Sequence, residues 1–224
     1  AHFRIEAWDS AKNADYRLSF DYATARGTVT DHWDGVIRKD PVDQKEIKLA
    51  ALSCMVDYAF PNQYISESVR AQNPDLVFFA GDQIYESVAG YSVVRTPTVN
   101  EVPRAALNYL QKYWLFGWSF RDVLKDRPSV IIPDDHDVYH GNIWGNGGMA
   151  MPKIAKTTSS FGGYNMHPKW VNMVHRTQVS HLPDAYDPTP IKQGITVYHT
   201  ELNVGGVSFA ILADRMFKSA PGDA

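Results

Sequence analysis

Three apolar runs in this chain end in residues with metal-ligating side chains, and this repeated junction constrains the fold more than any other feature. The runs are Leu49–Cys54 (LAALSC), Leu76–Glu86 (LVFFAGDQIYE) and Val130–Asp137 (VIIPDDHD). Unbroken apolar runs predict parallel strands buried on both faces. In open α/β sheets, ligands bind outside the carboxyl ends of such strands. A thiol, a Gly-Asp-x-x-Tyr turn and an Asp-Asp-His-Asp cluster are therefore expected on one edge, as in a metal-dependent enzyme.

The rest of the chain divides around this pattern. Phe3–Trp8, Tyr16–Tyr22 and Gly35–Arg38 read as short strands, with breaks at Asn13 to Asp15 and at Arg26-Gly27. Three strands fall short of a sandwich, which needs about seven. Residues 1–45 thus read as a flap or as the end of an N-terminal β-sandwich domain, with Lys39-Asp40-Pro41 as exit linker. From Glu46 a β/α pattern begins. Pro61 opens a helix that shares Ile65 and Val69 on a face and stops at Asn73-Pro74. Pro103–Leu124 predicts a long amphipathic helix carrying Leu107, Leu110, Trp114, Trp118 and Phe120, with Gly117 as its weak point. Residues 141–190 read as a loop-rich insertion, and a connection of that length is usually functional. Thr196–Val204 and Val207–Ala213 flank Gly205-Gly206, a hairpin signal.

Composition narrows the function classes. With 224 residues the chain can bury a real core. A formal net charge of -3, without a basic run or a basic-aromatic stripe, gives no nucleic-acid signal. No apolar stretch approaches the roughly 18 residues of a membrane span. The one cysteine, Cys54, excludes an internal disulfide.

Asp82 follows the sharp turn at Gly81, where its carboxylate could bridge two cations, and Tyr85 three residues on could reach the same ion as a phenolate. The alternative is a turn-capping Asp and a half-buried aromatic. The cluster Asp134-Asp135-His136-Asp137 is costly at a sheet edge without a cation or donors to offset its repulsion, which favours a ligand cluster over a solvated turn. Cys54 is either a small core residue or a metal thiolate. His140 and Asn142 lie close enough in sequence to contribute. His167, His175 and His181, in or beside the insertion, read as surface residues, with binding of a substrate phosphate as the alternative; His199 reads as structural, and His2 and His32 carry no signal. Arg215 could bind an oxyanion or pair with its neighbour Asp214.

Taken in order, Ser53-Cys54, Gly81-Asp82-Gln83-Ile84-Tyr85-Glu86, Asp134-Asp135-His136-Asp137, and the run Phe209–Leu212 with Asp214-Arg215 resemble the PhoD-type alkaline phosphatase/phosphodiesterase family of the metallophosphoesterase superfamily. The resemblance covers most of residues 46–150 and part of 205–220. It implies an α/β metallophosphoesterase-like fold after an immunoglobulin-like β segment, with 46–224 as the N-terminal part of the catalytic domain. It implies that Cys54, Asp82 and Tyr85 bind ferric iron and that Asp82 bridges to one or two divalent cations, calcium in the family's best-known form. Asp135 matches a ligating position, His136 the histidine that approaches the phosphate, and Asn142 loosely a later ligand; Arg215 falls in a block that would hold substrate.

The implied reaction is hydrolysis of phosphate mono- or diesters by a metal-bound hydroxide, with His136 and Asp135 in the catalytic set and an extracytoplasmic location. A downstream Gly-Asp-x-His block, which completes the superfamily's site, has no match after Asp137, so the chain reads as a fragment or as an incomplete site. Two other function classes stay open. One is a non-catalytic binding protein with a degenerate site, and the other a hydrolase of non-phosphate esters on the same scaffold.

Overall fold

The computed structural model describes residues 3–55, 60–87, 90–95, 98–140 and 164–217. A mixed α/β unit forms its centre. Strands β3 (Leu49–Leu52), β4 (Leu76–Phe79) and β5 (Ser129–Ile131) pair in parallel in the order β3-β4-β5. Helix α1 (Gln63–Gln72) joins the first pair and α2 (Val102–Leu124) the second.

Alternation along the central strands explains the layering. Val77 and Phe79 of β4 and Ile131 of β5 enter a core with Val69 of α1 and Ala105, Tyr109, Phe116 and Phe120 of α2. Leu76, Val130 and Ile132 enter a second core with Tyr198, Val204 and Ile211. The second face is covered by the antiparallel hairpin β6 (His199–Val204) and β7 (Val207–Leu212). Both faces of β4 and β5 are thus dry, which accounts for their unbroken apolar runs, whereas β3 at the edge of the sheet stays partly exposed. Phe79 meets Phe116 and Phe120 edge-on, at 5.1 and 5.2 Å between ring centroids. Such pairs add about 0.5–1.5 kcal/mol each beyond area burial.

Several expectations are corrected. Phe3–Trp8 is irregular rather than a strand, and the first hairpin is longer than its sequence suggests, pairing β1 (Ala14–Thr24) with β2 (Gly27–Ile37). Its alternation leaves Leu18, Phe20 and Tyr22 on one exposed face. Helix α2 buries Ala105, Tyr109, Lys112, Phe116, Ser119, Phe120 and Val123, while Leu107, Leu110, Trp114 and Trp118 lie outward. It also runs unbroken through Gly117. Finally, the region read as loop contains α3 (Pro168–Val179), which buries Trp170, Val171 and Val174 in the core. Its His175 is buried, not on the surface, and burial pulls its pKa down to about 4. His167 accepts from the Lys169 N–H as the cap of α3, whereas His181 is exposed.

Candidate metal centre

The carboxyl ends of the three parallel strands converge. Two backbone hydrogen bonds lock the loop after β3 to the loop after β4: Cys54 N–H to Gly81 O at 3.2 Å and Met55 N–H to Asp82 O at 3.1 Å. Gly81 and Asp82 turn the chain sharply off β4, with φ of 103° and 58°. Glycine is required at 81 for a second reason. A Cβ there would stand 2.3 Å from Asp134 Cβ, so the loops after β4 and β5 touch through the space a side chain would fill.

Asp82, buried at the centre, collects the other groups. Its Oδ2 is 3.6 Å from Cys54 Sγ and accepts from the Tyr85 hydroxyl at 3.2 Å. Its Oδ1 accepts from the backbone N–H of His136 at 3.2 Å. Ligand atoms of Asp82, Asp134 and Asp135 all lie within 4.8 Å of one another. Burial and the Asp134 charge push the Asp82 carboxyl up. Burial and Asp134 push Asp135 up to about 7, against the pull of Arg215. Burial, followed by Asp82, drives the Tyr85 phenol well up. These are the marks of anionic donors crowded together without enough positive charge.

His136 is set at the rim. Its ring stacks on Tyr85 at 4.4 Å between centroids and 26° between planes, and its Nδ1 lies 2.9 Å from Glu86 Oε2. The Glu86 hydrogen bond raises the imidazole to about 9 against the opposing effect of burial. Burial raises Glu86 in turn, but the His136 hydrogen bond and the charges of His136 and Arg95 offset it, so the net shift is downward. Glu86 closes the second sequence motif but has no metal-ligand spacing of its own. Its pairing is visible once the two loops meet.

Asp137 behaves unlike its neighbours. Fully buried, it accepts from the backbone N–H groups of Asp82 at 2.6 Å, Asp134 at 2.9 Å and Ile84 at 3.1 Å, and from Gln178 Nε2 at 2.8 Å. Burial pushes it up to about 7 while these donors pull it down. Its work is to fasten the loops after β4 and β5 to each other and to α3. Gln178 also donates to Tyr109 and accepts from Gln83, a polar hub beneath the site that sequence spacing did not signal.

Arg215 does come to the cluster. Its guanidinium lies 3.3 Å from Asp134 and 3.4 Å from Asp135. His140 is buried and donates its backbone N–H to Asp135 O at 3.0 Å. Asn142 lies outside the described residues. At the opposite, amino ends of the strands a groove of about 630 Å³ includes Trp8, Arg38, Asp40, Asp75 and Asp126. Its charges are mixed in sign, and it lacks the concentration of one charge seen around Asp82. Among the described residues no helix is long and apolar enough to cross a membrane.

No family model matches the chain, and no curated protein does. Among solved structures it is similar to a structure of PhoD, with a TM-score of 0.55 at 15% sequence identity. The similarity covers 92% of this chain and 38% of that one, so the chain spans well under half of that protein's length. The likeness establishes the fold alone, a mixed α/β architecture that is PhoD-like; the acidic group of Asp82, Asp134 and Asp135 is this chain's own and could hold a metal ion.

Proposed function

We propose that the protein hydrolyses phosphate mono- or diesters with the aid of bound metal ions. The observation that carries this reading is the gathering of Cys54, Tyr85, Asp134 and Asp135 around the buried carboxylate of Asp82. The donor set fits the cations implied by the resemblance. Thiolate, carboxylate and phenolate suit a ferric ion at Cys54, Asp82 and Tyr85, since a phenol pushed up by burial ionises only on a strong Lewis acid. Carboxylate oxygens of Asp82, Asp134 and Asp135 suit a hard divalent ion such as calcium. Bound there, the cations would make water more acidic and offset charge on the phosphoryl group.

The chain's own residues supply the remaining steps. Water, giving up a proton to solvent, adds to phosphorus and the bond to the departing alcohol breaks, its electron pair staying on that oxygen. His136, with Nδ1 engaged by Glu86, gives the oxygen its proton from Nε2. Arg215, beside Asp134 and Asp135, holds a phosphate oxygen. The same reading takes residues 46–224 as part of the catalytic domain, 1–45 as the end of a preceding β-sandwich, and the location as extracytoplasmic, on the resemblance alone.

Metal analysis and turnover of chromogenic phosphate esters test this. We expect stoichiometric iron and a visible charge-transfer band that both Cys54→Ser and Tyr85→Phe alter. Asp82→Asn should lower activity by more than the roughly 10–100-fold that loss of an outer partner costs. A colourless, iron-free and fully active preparation removes the ferric assignment, and metal-replete protein without turnover overturns the reading. One observation favours a second reading. The Arg215 guanidinium on Asp134 and Asp135 acts as a built-in cation, as in a binding protein with a degenerate site. Such a protein would hold no stoichiometric metal.

A further inference from the structure

We infer that Glu86 is a positioning residue that acts through His136, an inference that rests on the phosphoesterase reading. The imidazole is constrained on two sides. Tyr85 covers one face at 4.4 Å, and the Glu86 carboxylate holds Nδ1 at 2.9 Å. The backbone beneath is constrained as well: His136 N–H binds Asp82, and the Glu86 carbonyl accepts from Lys112 Nζ at 2.6 Å. Lys112 is fully buried on α2, a rare place for a lysine. Its ammonium also lies 4.5 Å from the Tyr139 ring centroid, and Arg95 donates to the Tyr139 carbonyl at 3.3 Å. A buried cation thus anchors the main chain of the residue whose side chain orients the histidine.

Glu86 stands apart from the three carboxylates that share a ligand geometry, so its carboxylate is left for His136. With Nδ1 engaged, Nε2 is the nitrogen that meets substrate, and the ring's tautomer and angle are set before substrate arrives. Preset geometry of this kind lowers the barrier for proton delivery without tightening ground-state binding.

A double-mutant cycle tests the assignment on the metal-replete protein, with 4-nitrophenyl and alkyl phosphate esters as substrates. Glu86→Ala should lower kcat on the order of 10–100-fold and leave KM within about twofold. The loss should be larger for the alkyl esters, whose leaving oxygen needs the proton more. Glu86→Gln, which keeps a hydrogen-bonding group near Nδ1, should recover part of it. In a His136→Ala background Glu86→Ala should cost nothing further, and bound metal should match wild type throughout. An undiminished kcat, an equal loss in the His136→Ala background, or loss of metal from Glu86→Ala overturns the inference while leaving the phosphoesterase reading intact. Should Glu86→Ala fail to fold, Glu86→Gln carries the same cycle. A wild-type protein without turnover overturns both.

Discussion

Gln178 donates its side-chain amide to Asp137 Oδ1 at 2.8 Å across 41 residues of sequence, so α3 holds the carboxylate on which the site's loops hang. Asp137→Ala would leave three backbone N–H groups and this amide without their acceptor inside a dry core. Each buried donor left unsatisfied costs roughly 1–3 kcal/mol, so losing the acceptor of four should cost several times as much as losing one donor. Gln178→Ala removes one donor and should cost roughly 1–3 kcal/mol. Urea unfolding of the two variants checks the order, and equal losses would show that Asp137 is not the shared anchor.

Gly81→Ala should damage the site more than its size suggests. The new Cβ would stand 2.3 Å from Asp134 Cβ at a φ of 103°. Left-handed strain costs about 1–2 kcal/mol and overpacking about 1–3 kcal/mol, and the relief available is to push Asp134 away from Asp82. We therefore expect a stability loss of roughly 2–5 kcal/mol together with weaker metal binding, read by thermal unfolding and metal titration. A variant of wild-type stability and metal affinity would mean that the two loops yield freely.

The pH dependence of the metal-free protein follows from groups whose protons are held more tightly folded than unfolded. Asp135 rises from an ordinary 3.8 to about 7 and His136 from 6.5 to about 9. In both cases the native state binds more protons than the unfolded state across the interval, so stability falls as pH rises. The Asp135 contribution is full below about pH 4 and lost through pH 7; the His136 contribution is full below about 6.5 and lost through 9. Buried His175, lowered to about 4, opposes this trend between about pH 4 and 6.5, so melting temperatures without metal should decline from pH 6.5 to 9, and added cation should restore most at the alkaline end, where the carboxylates are ionised. A metal-free protein that gains stability over that range would contradict the crowding of charge around Asp82.

Much of this was legible in the sequence because β4 and β5 are buried on both faces and all three parallel strands end where the chain turns polar. The order of Cys54, Asp82 and Asp135 along successive strands was enough to bring them to one edge. The sequence did not reveal which of four adjacent ionisable residues turns inward. Asp134 and Asp135 face the cluster and Asp137 the core, a difference set by one short turn. Nor did α3 show itself, because its buried stripe mixes Trp170 and Val174 with the polar His175 and Gln178. For Arg215 the sequence left oxyanion binding and pairing with Asp214 open, and it could not point to Asp135, which lies in a loop 80 residues earlier.

The two stripes of α2 give the last prediction. Phe116 and Phe120 on one face and Trp114 and Trp118 on the other both recur at helical spacing, so periodicity alone could not choose between them. The structure does choose: Phe120 is fully buried against Phe79, whereas Trp114 and Trp118 are 61% and 49% exposed, stacked on each other. Phe120→Ala should therefore cost roughly 3–5 kcal/mol and Trp114→Gln within about 0.5 kcal/mol. Trp118→Gln should cost slightly more, because the Arg121 guanidinium lies 4.3 Å from its ring and such contacts are worth about 0.5–1 kcal/mol at exposed sites. Urea midpoints of the three variants decide the matter. A tryptophan change as costly as Phe120→Ala would mean that the outer stripe of α2 is covered in the protein in solution.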